Sequence, residues 1–254
     1  MANQCGKDRL GMLLLLAGLL LPLSARAEAP MPGQEQCVAP PELARFTVPL
    51  PHTAARIHAG EPLTIVAIGS SSTSGWGASS QANSYPSQLA SDLRAHYPKL
   101  ELRVLNKGVG GETAPQMLSR FDRDVMAAHP DLVIWQVGTN TLLHNDDLSA
   151  HDKYIHQGLQ RLQVAGIDVI VMNPQFAPKV TANPDHAQIV HDINAACAEK
   201  RVAVFHRFEI MRHWVLVKRQ QFAALLAPDQ LHMNDFSYAC VARLLADAII
   251  AAVD

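Results

Sequence analysis

The chain has 254 residues, a length that suits one domain or at most two small ones. Apolar residues make up 48% and charged residues 17%, which is the balance of a folded globular protein rather than a disordered one. The formal net charge is −2, and the sequence has no basic run interleaved with aromatic residues. We therefore expect no nucleic-acid partner.

Residues 1–27 have the pattern of a secretory signal peptide. Lys7 and Arg9 form a short positive region, residues 10–23 form an apolar core, and an Ala-Arg-Ala tripeptide at 25–27 supplies the small residues of a cleavage site. The apolar core is shorter than the ~20 residues that a membrane-spanning helix needs, so we expect cleavage and no membrane anchor afterwards. The sequence thus predicts an exported protein, either periplasmic or secreted.

Export changes how the cysteines are interpreted. Cys5 is lost with the signal peptide, and the three that remain can form one disulfide in an oxidising compartment. We expect that bond between Cys37 and Cys240, with Cys197 as a small buried apolar residue, while three free thiols remain the alternative. Because no spacing of cysteine and histidine suggests a zinc site, we expect no metal and no cofactor.

The elements follow in a regular order. Residues 28–62 hold seven of the sixteen prolines, which favours an extended or loosely packed N-terminal arm. The candidate strands are 63–68, 101–105, 131–137, 167–172 and 201–205, and the candidate helices are 84–96, 113–128, 149–165, 185–199 and 236–253. Such short apolar runs are typical of parallel strands covered by helices on both faces. The alternation predicts a three-layer α/β/α sandwich with a five-stranded parallel sheet over residues 63–254.

Polar residues collect after these strands, at the sheet edge where parallel α/β folds bind ligands. Four short motifs stand out in chain order: Gly69-Ser70-Ser71-Ser72-Thr73, Gly110-Gly111-Glu112-Thr113, Gly138-Thr139-Asn140 and Asp229-Gln230-Leu231-His232. Each motif is a weak signal alone, but four of them at predicted loops of one edge indicate a single site.

These residue types suit nucleophilic catalysis by a serine. A serine hydroxyl needs a neighbouring base and hydrogen-bond donors for the oxyanion. His232 can act as the base, and Asp229, three residues earlier, can orient its imidazole. The oxyanion donors would be the backbone amides of Ser71 and Gly111 and the side-chain amide of Asn140.

The four motifs resemble the conserved blocks of the SGNH (GDSL-like) hydrolases. The resemblance implies a flavodoxin-like sheet, Ser71 as the nucleophile, and metal-free hydrolysis of esters or removal of acyl groups. Two positions depart from the family pattern, because Ser70 and Thr141 stand where aspartates are usual. The first departure leaves three adjacent serines, so Ser70 and Ser72 remain alternatives for the nucleophile.

Three further residues are candidates for substrate contact. Trp76 lies five residues after Ser71, His144 follows the Gly-Thr-Asn motif, and Gln175 follows the fourth candidate strand. Each has a simpler alternative, which is packing for Trp76 and an incidental place on the rim for the other two.

The sequence as a whole predicts an exported serine esterase that acts on short-chain or acetyl esters through a covalent acyl-enzyme. An acylated carbohydrate is the expected partner, and that part of the prediction rests on export alone. Two alternatives remain: an acyltransferase with the same triad, and a glycan-binding protein that has lost its activity.

Overall fold

The computed structural model describes residues 37–254, together with Met1. The predicted signal peptide, apart from Met1, and residues 28–36 of the predicted arm lie outside the described residues.

Five apolar segments form one parallel sheet. The strands are β1 (Leu63–Gly69), β2 (Leu102–Gly108), β3 (Leu132–Gln136), β4 (Asp168–Met172) and β5 (Ala203–Phe205). Their spatial order is β2-β1-β3-β4-β5, and every neighbouring pair is parallel. All residues of β3 and β4 are buried, because helices cover both faces of the sheet, whereas the edge strand β2 is partly exposed. The prediction of a five-stranded parallel α/β fold is confirmed.

Helices fill the connections between the strands. They are α1 (Pro41–Ala44), α2 (Pro51–Ala59), α3 (Ser71–Ser74), α4 (Tyr85–His96), α5 (Ala114–Ser119), α6 (Phe121–Asp124), α7 (Thr139–His144), α8 (Leu148–Val164), α9 (Pro178–Thr181), α10 (His186–Lys200), α11 (Arg207–Leu216), α12 (Phe222–Leu225) and α13 (Asp235–Val253). Helix α4 packs against α13, whereas α8 packs against α5 and α10. These two groups of helices are the outer layers of the sandwich.

One predicted helix is broken. The sequence favoured a single helix over 113–128, but the structure has α5, α6 and a 3₁₀ turn at Met126–Ala128. The break falls at Arg120, whose backbone leaves the helical region at φ −112° and ψ 7°. The Arg120 side chain is buried and bonds to carboxylates and to a strand carbonyl, and these contacts replace regular helix at this point.

The described part of the proline-rich arm is folded onto the sheet, which differs from the extended or loosely packed arm that the sequence favoured. Helices α1 and α2 each begin with proline at the first helical position, where its missing N–H costs no hydrogen bond. Within α2, both the backbone N–H and the hydroxyl of Thr53 donate to Asp168 Oδ2 at 2.8 Å. These bonds fix α2 to the start of β4.

The cysteines divide into a bonded pair and a buried thiol. Cys37 and Cys240 are joined by a disulfide, with a Cα–Cα distance of 5.2 Å, which ties the beginning of the described chain to α13. Cys197 is a free, buried cysteine in α10, and burial raises the pKa of its thiol to about 12. A thiol with so high a pKa is a weak nucleophile at neutral pH.

Helix α13 completes one face of the core. Within the described residues it is the helix long and apolar enough to cross a membrane. In its apolar 18-residue window, 61% is buried inside the domain, and Tyr238, Leu245 and Ile249 are fully covered. This burial explains its apolar sequence as that of a core helix.

Candidate active site

The turn after β1 gives the three adjacent serines different surroundings. Ser70 and Ser72 are each 1% exposed, and the backbone N–H and hydroxyl of Ser70 both donate to Gln136 Oε1, at 2.8 and 3.0 Å. Ser71 is the first residue of α3 and is partly exposed. Its Oγ lies 2.8 Å from His232 Nε2. Among the three serines, Ser71 is therefore the one whose hydroxyl meets the imidazole.

His232 is held by Asp229 from within the same loop. His232 Nδ1 lies 2.5 Å from Asp229 Oδ2, and Asp229 Oδ1 accepts the backbone N–H groups of Leu231 and His232 at 3.0 Å. An antiparallel bridge between Leu226 and Met233 closes this loop. The carboxylate thus fixes both the backbone and the ring of the histidine.

The Asp229 carboxylate stays ionised in this environment. Its partial burial alone would raise the pKa, but hydrogen bonds from the His232 ring and from the backbone N–H groups of His232 and Leu231 outweigh burial. The pKa of Asp229 therefore lies below its ordinary value. Because the ionised Asp229 carboxylate can only accept a hydrogen bond, we assign the ring proton of His232 to Nδ1. This leaves the lone pair of Nε2 free to accept the Ser71 hydroxyl proton.

The proposed oxyanion donors come from loops beside Ser71. Asn140 is the second residue of α7, and its Nδ2 donates to the carbonyl of Glu112 at 2.8 Å, which joins the Gly-Thr-Asn motif to the 110–113 turn. Gly111 has φ +81°, and a Cβ placed there would meet nothing within 4 Å. A Cβ on Gly110 would lie 4.0 Å from Ser71 Cβ. The backbone of this turn therefore approaches the nucleophile closely and faces open space.

Arg120 supports this arrangement, and the sequence analysis did not identify it. It is 6% exposed and donates to the Gly69 carbonyl at 3.2 Å, to Glu112 at 2.7 Å and to Asp124 at 3.0 Å. The guanidinium of Arg123 also bonds to Asp124. The contacts from Arg123 and Arg120 lower the pKa of Asp124 to about 2, although burial of the carboxylate acts in the opposite direction. Arg120 therefore connects the end of β1 with the 110–113 turn.

Gln175 does not face the cleft, which corrects the prediction that it contacts substrate. It is 1% exposed, and its Oε1 accepts from Thr139 Oγ1 at 2.9 Å and from Arg207 Nη2 at 3.0 Å. Its Nε2 donates to the Leu231 carbonyl at 3.2 Å. All of these partners are protein groups. Through Thr139 and Leu231, Gln175 connects the loop of Asn140 with the loop of His232 in the interior of the protein.

Arg207 is a second buried residue that the sequence analysis missed. It is fully buried at the start of α11, and it donates to the Asn173 carbonyl at 3.0 Å as well as to Gln175. Burial lowers the pKa of its guanidinium to about 10. The available signal was a basic residue two positions after a predicted strand, but its partners Asn173 and Gln175 are distant in the sequence.

The remaining two candidates are exposed. Trp76 is 64% exposed, and its ring centroid lies 6.0 Å from that of His232. His144 is exposed at the last residue of α7. Substrate contact by His144 stays a prediction.

The largest described features away from Ser71 do not form a second catalytic or metal site. A cleft of about 600 Å³, lined in part by His52, Asp168 and Arg201, lies at the edge where β4 begins, and no residue of the Ser71–His232–Asp229 group lines it. Ligands of parallel sheets bind at the opposite, carboxyl edge. Among residues 37–254, no three His, Cys, Asp or Glu side chains form a group that could hold a metal ion.

Residues 36–254 match the protein family described as the non-GDSL lipase-like family. The chain belongs to this family. The resemblance seen in the sequence is thereby confirmed as far as an SGNH-like esterase family, but the GDSL-like assignment within it is not. Ser70, where a GDSL block has aspartate, agrees with that distinction.

Individual relatives include esterases of acetylated polysaccharides. An acetylxylan esterase of Geobacillus stearothermophilus is 38% identical over 64 residues, which is 25% of this chain and 29% of the relative. The fold of this chain matches the crystal structure of an acetylxylan esterase from the same organism with a TM-score of 0.64. The two are 21% identical, and the match covers 74% of this chain and 94% of the other. It also matches a two-domain esterase active on acetylated mannans, with a TM-score of 0.68, 20% identity, and coverage of 83% of this chain and 56% of the other.

Proposed function

We propose that this protein is a serine esterase that removes acetyl groups from an acetylated carbohydrate. The observation that carries the proposal is the continuous chain of contacts from Ser71 Oγ through His232 to Asp229, with distances of 2.8 and 2.5 Å. The first distance lies within the range that allows proton transfer between a nucleophile and its base, and the second is the contact by which a carboxylate orients the imidazole.

In the proposed first step, Ser71 Oγ attacks the ester carbonyl while His232 Nε2 takes the hydroxyl proton. The negative charge that develops on the carbonyl oxygen is stabilised by the N–H groups of Ser71 and Gly111 and by the Asn140 amide. His232 then gives its proton to the departing alcohol oxygen, and the acetyl group stays on Ser71. Asp229 stabilises the imidazolium that forms in this step.

In the second step, water replaces the alcohol. His232 Nε2 takes a proton from the water, the hydroxide oxygen bonds to the acetyl carbonyl, and the Ser71–acyl bond breaks with return of the proton to Ser71. The products are the free enzyme and acetic acid, which releases its proton to the solvent as acetate. A sugar hydroxyl in place of water would give the acyltransferase, which uses the same residues.

The substrate class is supported by the relatives. Those described above act on acetylated xylan or acetylated mannan, and the 64-residue sequence match to one of them is 38% identical. The protein is further proposed to act outside the cytoplasm, because residues 1–27 have the pattern of a signal peptide and Cys37 and Cys240 form a disulfide.

The experiment that tests the function compares hydrolysis of a chromogenic acetyl ester by the wild type and by three serine variants. We expect Ser71→Ala to lose at least 10³-fold in kcat, because the nucleophile is removed. Ser70→Ala and Ser72→Ala are matched controls in the same turn and should keep most of the activity. Mass spectrometry of the wild type with a slow ester should find the acyl group on Ser71.

Two outcomes would overturn the proposal. If Ser71→Ala stays active while one of its neighbours is inactive, the nucleophile is wrong. If the wild type hydrolyses neither chromogenic nor glycan acetyl esters, the glycan-binding and strict acyltransferase alternatives replace the esterase.

A further inference from the structure

The three tryptophans of the chain lie in very different environments. Trp135 and Trp214 are fully buried, whereas Trp76 is 64% exposed. Exposing a large aromatic side chain to water forgoes the favourable free energy of burying it. An exposed indole beside the Ser71–His232 pair therefore calls for a functional reason.

The backbone that carries Trp76 is fixed on several sides. The Trp76 carbonyl accepts the hydroxyl of Tyr238 at 2.7 Å. Gly77 has φ +87°, and a Cβ there would lie 2.4 Å from the Met233 carbonyl and 2.9 Å from His232 Cβ. The loop of Trp76 therefore packs closely against the loop of His232 at Gly77, where no other residue fits.

A second set of contacts holds the same loop farther along. Asp235, the first residue of α13, accepts the backbone N–H of Ser79 at 2.7 Å and the side-chain amide of Asn83 at 2.9 Å. The Ser79 hydroxyl also donates to Asp235, and this bond, together with the other two, holds the pKa of Asp235 below its ordinary value. The indole is therefore exposed on a fixed backbone rather than on a loosely held loop.

The position of the ring indicates which half of an ester it meets. The centroid of the indole lies 6.0 Å from that of the His232 ring, and a Cβ on Gly110 would lie 3.6 Å from Trp76 Nε1. In the proposed mechanism His232 hands its proton to the departing alcohol oxygen, so the alcohol half must lie next to the imidazole. A sugar alcohol at that place has an apolar C–H face that can pack on an aromatic ring.

We propose that Trp76 is the binding platform for the sugar that carries the acetyl group, and that it selects carbohydrate esters over other acetyl esters. This inference rests on the proposed esterase function. The ligand class is a pyranose or oligosaccharide that packs one face on the indole while its acetylated oxygen points at Ser71.

The binding part can be tested without catalysis. Acrylamide should quench mainly Trp76, because the other two tryptophans are buried. We expect xylopentaose or mannopentaose at millimolar concentration to protect the fluorescence from quenching in the wild type and in Ser71→Ala. Trp76→Phe should abolish the protected component and identify it.

The selectivity part is tested by comparing an acetylated xylo- or manno-oligosaccharide with glycerol triacetate, which has no sugar ring. We expect Trp76→Ala to lower the ratio of kcat/KM values, oligosaccharide over triacetate, by about fivefold, mostly through KM, because the proposed contact is made only with a substrate that has a sugar ring. Trp76→Phe should restore most of the ratio. Val164→Ala, at an 82% exposed apolar side chain of α8, is the matched control and should leave the ratio unchanged.

Two results would overturn the proposed role of Trp76. One is that the sugars do not protect the fluorescence from quenching, and the other is that Trp76→Ala lowers kcat/KM equally for both substrates. Failure of the esterase proposal is seen separately, as a wild type that hydrolyses neither substrate. In that case the quenching result still decides whether Trp76 binds sugar.

Discussion

The side-chain amide of Asn140 has two N–H groups with different tasks. One donates to the Glu112 carbonyl at 2.8 Å and so keeps the 110–113 turn beside α7. In the proposed mechanism, the other donates to the oxyanion of the reacting ester. Because the first bond fixes the direction of the amide, the second donor is oriented before substrate arrives, which is the condition for effective electrostatic stabilisation.

Asn140→Ala is therefore expected to lower kcat by about 10²–10³-fold with a smaller change in KM, since the lost interaction is made mainly in the transition state. The measurement is steady-state hydrolysis of an acetyl ester, with the thermal unfolding midpoint recorded in parallel. Asn194→Ala removes an amide that binds Glu209 in another part of the fold and should keep normal turnover. A fully active Asn140→Ala enzyme would remove Asn140 from the proposed oxyanion hole.

Single residues also show where inference from sequence ends. The order of the four motifs predicted which loops come together, and the family resemblance favoured Ser71 among the three adjacent serines. Ser70 and Ser72 remained alternatives, because the difference between the three lies in burial and in the bonds of Ser70 to Gln136. Gln175 was placed in the cleft because it follows a strand. The direction of a loop side chain depends on partners such as Arg207, which is 32 residues away, and no local pattern encodes them.

At the scale of elements, α7 and α8 are joined beneath the Gly-Thr-Asn motif. Thr141, which stands where the SGNH pattern usually has aspartate, places its Oγ1 3.0 Å from Nδ1 of His151 in α8. His151 is 4% exposed, and its Nε2 is buried without a hydrogen-bond partner among the described residues. Burial lowers the pKa of His151 to about 4 from its ordinary 6.5, although Asp192 opposes the shift.

This buried histidine predicts a specific loss of stability in acid. The unfolded chain takes up the proton near pH 6.5 and the folded chain only near pH 4, so the stabilisation is complete above pH 6.5 and disappears as the pH falls through about 4. The difference corresponds to about 3 kcal/mol. Urea unfolding at a series of pH values should show that His151→Asn removes this part of the pH dependence.

His58→Asn is the matched control for that series, because the same substitution is made at an exposed histidine of α2. Its stability should follow the wild type across the pH range. Parallel curves for the wild type and His151→Asn would show that His151 does not titrate with a lowered pKa.

The elements also differ in how well their sequences specify them. The strands other than β2 were predicted to within two residues at each end because each is a short apolar run next to polar turns. The predicted end of β2, residue 105, falls three residues short of Gly108, because the last three residues of this strand are not apolar. The break at Arg120 could not be predicted, since it depends on bonds to Gly69 and Glu112. Proline content favoured an extended lead-in, but proline at a first helical position is compatible with α1 and α2, and the buried bonds of Thr53 to Asp168 exist only in the folded chain.

For the whole molecule, the disulfide is the longest-range covalent constraint within the described residues. Cys37 and Cys240 are separated by 203 positions, so their bond restricts the unfolded chain strongly. We expect the double variant Cys37→Ala/Cys240→Ala to lose about 2–5 kcal/mol in the free energy of unfolding. Chemical denaturation with and without reductant measures this loss.

The reductant supplies the internal control. It should lower the stability of the wild type toward that of the double variant and leave the double variant unchanged, because Cys197 forms no disulfide. Hydrolysis by the folded double variant should persist at low temperature, since neither cysteine contacts Ser71 or His232. An equally stable double variant would mean that the bond contributes nothing to the folded state.

The fold class was predictable because it depends on an alternation repeated along most of the chain, and repeated patterns tolerate local errors. The pairing of loops across the sheet edge followed from that class. What could not be predicted is the set of buried polar contacts beneath the loops, in which Arg120, Gln175 and Arg207 bind backbone carbonyls and amides from distant segments.

The loop of Asp229 and His232 directly precedes α13, the last helix, whereas Ser71 follows the first strand, 161 positions earlier. The proposed nucleophile and its proposed base therefore belong to early and late parts of the domain as it is synthesised. Under the proposed mechanism, a chain interrupted before His232 has a serine without a base, and a fragment that lacks the first strand has a base without a serine. Turnover would then require that synthesis of the domain has passed His232 and that its two ends have come together.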